Sequence, residues 1–111
     1  MAVLRVVDDE LRIELSRWEK IGALSGDLVF PLTSIVSVER VDTARSSIRG
    51  MRAPGTGLPG RLALGRWRGR GSVDFVAAYR DDPGYVVDLT GEPVNRLIIS
   101  SPRVDELDAL M

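Results

Sequence analysis

Gly55-Thr56-Gly57-Leu58-Pro59-Gly60 spells G-x-G-x-x-G, the spacing with which glycines let a backbone approach a pyrophosphate. A working cradle needs a strand before it and a helix after it, so that the phosphate rests on the helix N-terminus. Here Met51-Arg52-Ala53-Pro54 precedes the motif, a glycine-rich strand pattern follows it, and Pro59 takes one backbone donor away. No Gly-Lys-Ser/Thr is present, so the other common phosphate loop fails too. The segment Pro54–Gly60 therefore reads as a structured turn between strands, its glycines supplying positive φ and its prolines stiffness.

Arginine is the second chemical feature. The chain has fifteen Lys/Arg and sixteen Asp/Glu, a formal net charge of −1. Eight of the arginines and one acid, Asp42, lie between Arg40 and Arg70, which gives that stretch +7 and leaves −8 for the rest. Guanidiniums grip phosphates and carboxylates two-pronged, so Arg52, Arg61, Arg66, Arg68 and Arg70 are the candidate anion- or partner-binding residues. On a strand, Arg66, Arg68 and Arg70 share one face and Trp67 takes the other. The expectation is that Arg66 and Arg68 meet solvent and Trp67 is buried; an outward Trp67 would instead offer a stacking surface for a base. Fourteen arginines stand against one lysine, Lys20, a bias that a GC-rich genome explains, so placement counts for more than number.

Other chemistry is thin. The chain has neither cysteine nor histidine, which removes thiolate catalysis, His-based proton transfer and Cys or His metal sites. Asp8-Asp9 and Asp81-Asp82 are adjacent acids without calcium-loop spacing, and read as turn residues. Serines and threonines have no evident base, and no two carboxylates are placed by sequence for acid–base work. No cofactor and no enzymatic activity are expected.

These residues need a scaffold. At 111 residues, 44% hydrophobic and 28% charged, the chain reads as one folded domain, 1–111. No apolar run is long enough to span a bilayer, and the start turns acidic too soon for a signal peptide, so the expected location is cytoplasmic. Strand patterns fall at Leu4–Val7, Leu11–Leu15, Asp27–Phe30, Ile35–Val41, Arg61–Arg68, Ser72–Arg80, Tyr85–Leu89 and Val94–Ser100. Ser16-Arg17-Trp18-Glu19 is a capping box opening a short helix, with Trp18 and Ile21 on its buried face and Leu24 a turn later. Ser101-Pro102 opens a C-terminal helix with Val104, Leu107 and Met111 inward. The fold class is mainly β: a sandwich or partly open barrel of about seven or eight strands, with a short helix after strand 2 and a C-terminal helix.

That order resembles bacterial pleckstrin-homology (PH)-like domains. The resemblance is carried by Tyr85-Val86-Val87-Asp88-Leu89, the Gly91-Glu92-Pro93 turn, Arg96–Ser100 and the segment from Pro102, together with the Leu28–Ile35 corner at Pro31. The whole chain is also similar to a group of actinobacterial proteins with no established activity, in which Arg-x-Pro-Gly-Thr-Gly-x-Pro-Gly precedes a Gly-Arg strand, as Arg52–Gly60 and Gly65-Arg66 do here. Phosphoinositide-binding PH domains carry basic residues at the first hairpin, whereas Asp8-Asp9-Glu10 stands there in this chain and would repel phosphates. The expected role is a non-catalytic binding or assembly module with a basic central face, its partner a protein or a second copy meeting that face through acids such as Asp81-Asp82. The alternative is an anionic ligand, nucleic acid or an acidic lipid surface, and a small enzyme comes last.

Overall fold

Alternating side chains build the first layer. In the computed structural model, which describes residues 2–49 and 61–101 and the backbone of 51–58, β1 (Val3–Val7), β2 (Glu10–Glu14) and β3 (Leu28–Pro31) form an antiparallel three-stranded sheet. Leu4, Leu11, Ile13 and Phe30 point inward and are buried, while Arg5, Arg12 and Val29, in register across the sheet, point out. Pro31 closes β3, and a 3-10 turn, Leu32–Ser34, leads to the second layer.

The second layer is a six-stranded sheet. It comprises β4 (Ile35–Val41), β5 (Met51–Leu58), β6 (Leu62–Gly69), β7 (Ser72–Tyr79), β8 (Gly84–Leu89) and β9 (Arg96–Ser100), in the spatial order β4-β8-β9-β7-β6-β5. β9 is antiparallel to β8 but parallel to β7, so the link from β7 to β8 steps over the place that β9 fills. At the Arg70-Gly71 turn between β6 and β7, Gly71 takes φ +67°, the left-handed conformation that glycine adopts without strain. Gly84 is fixed by contact instead: an added Cβ would lie 2.0 Å from the Ile99 carbonyl oxygen.

The large sheet is covered on both faces. On one, Phe75, Ala77, Tyr85, Val87, Leu97 and Ile99 meet Leu4, Leu11, Ile13 and Phe30 of the small sheet in the main core. On the other, Val76, Ala78, Val86, Ile98, Ala63 and Trp67 pack under Val41, Ala44 and Ile48, brought over by a 3-10 turn at Ala44–Ser47. The run Phe75-Val76-Ala77-Ala78 is therefore fully buried, as expected for a strand with no solvated face.

The mainly β, two-layer expectation with a helix after the second strand is met. Nine strands are present among the described residues. The ninth is β5, and it corrects the reading of Pro54–Gly60 as a turn over residues 54–58, which lie in a strand with Gly55 opposite Gly65 and Leu58 opposite Leu62; 59–60 lie outside the described residues. Two circumstances permit a Gly/Pro strand there. β5 is an edge, and its register shifts between Arg52 and Gly55, so Pro54 sits in a bulge where a missing N–H breaks no ladder bond. Among the described residues the sheets form no closed barrel. The expected C-terminal helix from Pro102 lies outside the described residues.

Candidate binding face at one end of the sandwich

The helix after β2, α1 (Arg17–Ala23), lies against β5 and β6. Its start is as the sequence implied: the Ser16 hydroxyl accepts the Glu19 N–H at 3.4 Å and the Glu19 carboxylate accepts the Ser16 N–H at 2.8 Å. Its orientation differs from expectation. Trp18, Ile21 and Leu24 are 50, 70 and 67% exposed, whereas Glu19 and Ala23 are fully buried. The buried stripe is the i, i+4 pair Glu19/Ala23, because the second Glu19 oxygen accepts the Tyr79 hydroxyl in a short hydrogen bond and small Ala23 joins the main core. Trp18 only leans edge-on against Tyr79, with ring centroids 6.0 Å apart. Burial first, then the Glu19 hydrogen bond and its negative charge, raises the Tyr79 phenol well above its ordinary pKa.

Leu24 caps the helix in the left-handed region, φ 52° and ψ 48°. Its N–H and that of Ser25 return to the carbonyls of Ile21 and Lys20. Glycine is the usual occupant of such a position. Here a large apolar side chain is held there and points into water.

The candidate arginines do not form one face. Arg68 and Arg70 are exposed at the β6–β7 turn; Arg66, one residue pair in, is half-buried with its guanidinium 5.7 Å from the centre of the Phe75 ring. Arg61 lies at the other end of β6, seven residues from Arg68, or about 23 Å along an extended strand. Its carbonyl accepts the Arg80 N–H at 2.8 Å, and the Arg80 carbonyl in turn accepts the Arg45 Nε at 2.9 Å. The Arg52 backbone pairs with Trp67 on β5; its side chain is outside the described ones. Trp67 is 8% exposed in the second core, as its alternation with the arginines implied, and offers no stacking surface.

Two features escaped the sequence reading. Asp74, a charged residue within β7, is fully buried and accepts both prongs of Arg49, at 2.7 and 3.0 Å. The hydrogen bond to Asp74 holds the Arg49 pKa above its usual value, against the cost of desolvation. The signal was the unbroken apolar run Phe75–Ala78 next to it, which marks two-sided burial. The second feature is Arg40, whose guanidinium stands 4.8 Å over the Tyr85 ring with Nη1 buried and without a hydrogen-bond partner. Asp81, one of the acids expected to face another copy, is engaged by Arg45 of its own chain at 2.8 Å.

Comparison with protein families, with curated proteins and with solved structures returns no match for this chain. The likeness to PH-like domains and to the actinobacterial group thus rests on the sequence segments that suggested it. Among the described residues, no three carboxylates converge as a metal site requires, and no helix is long and apolar enough to cross a membrane.

Proposed function

We propose that this chain is a non-catalytic binding module whose contact surface is the outward face of α1. The observation that carries this reading is the exposure of Trp18, Ile21 and Leu24 on a helix pinned from beneath by buried Glu19 and Ala23. Large apolar side chains scattered singly on a surface need no explanation, but three on one short helix form a patch of the kind that marks interaction sites. Leu24 strengthens the reading, since it occupies a backbone conformation that favours glycine while burying little of itself.

The acids best placed for chemistry are already committed. Glu19 is held by the Ser16 N–H and the Tyr79 hydroxyl, and Asp74 by Arg49. The basic stretch contributes at its two ends separately rather than as one central face. A nucleic-acid interface at Arg68 and Arg70 would have phosphate contacts alone to work with, because Trp67 is buried.

A photo-crosslinking amino acid placed at Ile21 in living cells, with Val36 as control, tests the reading. Val36 is 65% exposed on β4, at the opposite edge of the large sheet. Adducts from position 21 and not from position 36 are the expected outcome. Equal labelling from the two sites would remove α1 as the contact surface.

A further inference from the structure

We infer that the turn between β6 and β7 docks onto the sugar–phosphate backbone of a nucleic acid, a second contact surface beyond α1. The turn lies at the end of both strands away from Tyr79, against which Trp18 leans. It carries three guanidiniums within five residues. Arg66 and Arg68 are two apart on β6, so they leave the same face of the strand about 6.6 Å from each other, and Arg70 follows in the turn itself. Arg68 and Arg70 are exposed. Arg66 is half-buried and steadied over the Phe75 ring, 5.7 Å from its centre, so it has less freedom left to lose when it grips an anion.

These cations are not spent inside the chain. Arg45, Arg49 and Arg96 are each paired with an acid of their own molecule, Asp81, Asp74 and Asp88, whereas among the described residues neither Arg66 nor Arg70 meets a carboxylate. Opposite Arg66 and Arg68 on β7 stand Phe75 and Val73, which bring no negative charge. Asp74 between them points to the other face, where Arg49 holds it. Gly71 has nothing within 4 Å of where a Cβ would stand, so a phosphate can approach the backbone of the turn as well as its side chains. Guanidiniums take phosphate oxygens two-pronged, and a duplex offers one charge per about 1.7 Å of its axis. An anionic bilayer would find no apolar side chain in Arg68-Gly69-Arg70-Gly71-Ser72 to take up at headgroup depth. An acidic protein would need about 800 Å² of matched surface, more than one turn offers. With Trp67 buried, no base is stacked and the contact is blind to sequence.

The experiment is fluorescence anisotropy of a labelled DNA duplex of about 20 base pairs, titrated with the full chain over a salt series. Three neutralised phosphates predict a slope of about −2.7 in log K against log salt, a loss of about fortyfold between roughly 50 and 200 mM. Arg68→Gln/Arg70→Gln changes two exposed side chains and should keep the circular dichroism spectrum. Its slope should fall to about −0.9, a loss of about threefold over the same range. Arg5→Gln/Arg61→Gln removes the same charge elsewhere and should bind with the parent's slope. Two duplexes of unrelated sequence should bind within about twofold of each other. No binding at about 20 mM salt, a folded Arg68→Gln/Arg70→Gln variant with the parent's slope, or an equal loss from Arg5→Gln/Arg61→Gln would each overturn the inference. Displacement of the duplex by phosphatidylglycerol vesicles at equal phosphate would overturn it too, by making a bilayer the ligand. None of these outcomes bears on α1, which the crosslink at position 21 tests separately.

Discussion

Tyr79→Phe should cost about 2 kcal/mol at neutral pH, and the cost should shrink in alkali. Glu19 is fully buried, and the Tyr79 hydroxyl is one of its donors. A hydrogen bond to a charged group contributes about 1.5–3 kcal/mol, and an acceptor left short of a donor in the interior loses that in full. Phenylalanine keeps the ring that Trp18 leans on, so the loss is confined to the hydroxyl. For a domain of this length about 2 kcal/mol corresponds to roughly 8 °C in Tm.

The pH dependence follows from the raised phenol. The folded chain holds the Tyr79 proton at a pH where the unfolded chain releases it near the ordinary value of 10.0. The stability this group provides is therefore complete below about pH 10 and drains away as the pH rises beyond it, by at most about 1.4 kcal/mol per pH unit. Part of the ring stays in water, and screening lowers that ceiling. Urea unfolding followed by circular dichroism at about pH 7, 9 and 11 should show a constant gap between parent and variant at the first two and a narrower one at the third. A variant as stable as the parent at neutral pH, or a gap that does not close in alkali, would refute the view that Tyr79 and Glu19 pin the helix.

Arg49→Ala should cost about 2 kcal/mol, less than a wholly buried pair would because the Arg49 side chain is 43% exposed; the urea midpoint measures it. Arg49→Lys should recover only part, since an ammonium cannot reproduce the two-pronged grip on Asp74, and full recovery would contradict that geometry. Leu24→Gly should stabilise the fold by roughly 0.5–1 kcal/mol through relief of the left-handed backbone, visible as a rise of a few degrees in Tm. A fall in Tm would show that the Leu24 side chain packs against the protein after all.

Most of the scaffold was legible because its signals are local. Leu11-Arg12-Ile13-Glu14 alternates, Ser16 and Glu19 stand at capping-box spacing, and the acids Asp81-Asp82 mark the link between β7 and β8. What escaped depends on tertiary neighbours. Gly55-Thr56-Gly57 becomes a strand because β6 offers it a ladder and the sheet edge tolerates Pro54. The helix face was misjudged for a related reason. Trp18, Ile21 and Leu24 are the most apolar stripe, so hydrophobicity alone turns them inward, but the hydroxyl that draws Glu19 inward lies sixty residues away on β7. The arginines on β6 were read correctly in their alternation with Trp67 and wrongly as a cluster, because a strand of eight residues separates their ends.

The position of β9 decides how the large sheet is held together. Residues 96–100 are the last strand in chain order among the described residues, yet they fill the slot between β8 and β7. Without them the large sheet divides into two groups of paired strands: β4 with β8, and β5, β6 and β7 together. Each presents an unpaired apolar edge, Val86-Val87 on one and Phe75-Val76-Ala77 on the other. A chain lacking residues 96–100 would leave both edges unpaired, the condition under which strands pair with the wrong chain. The large sheet is thus completed at its centre, where β9 joins two groups of strands instead of extending an edge.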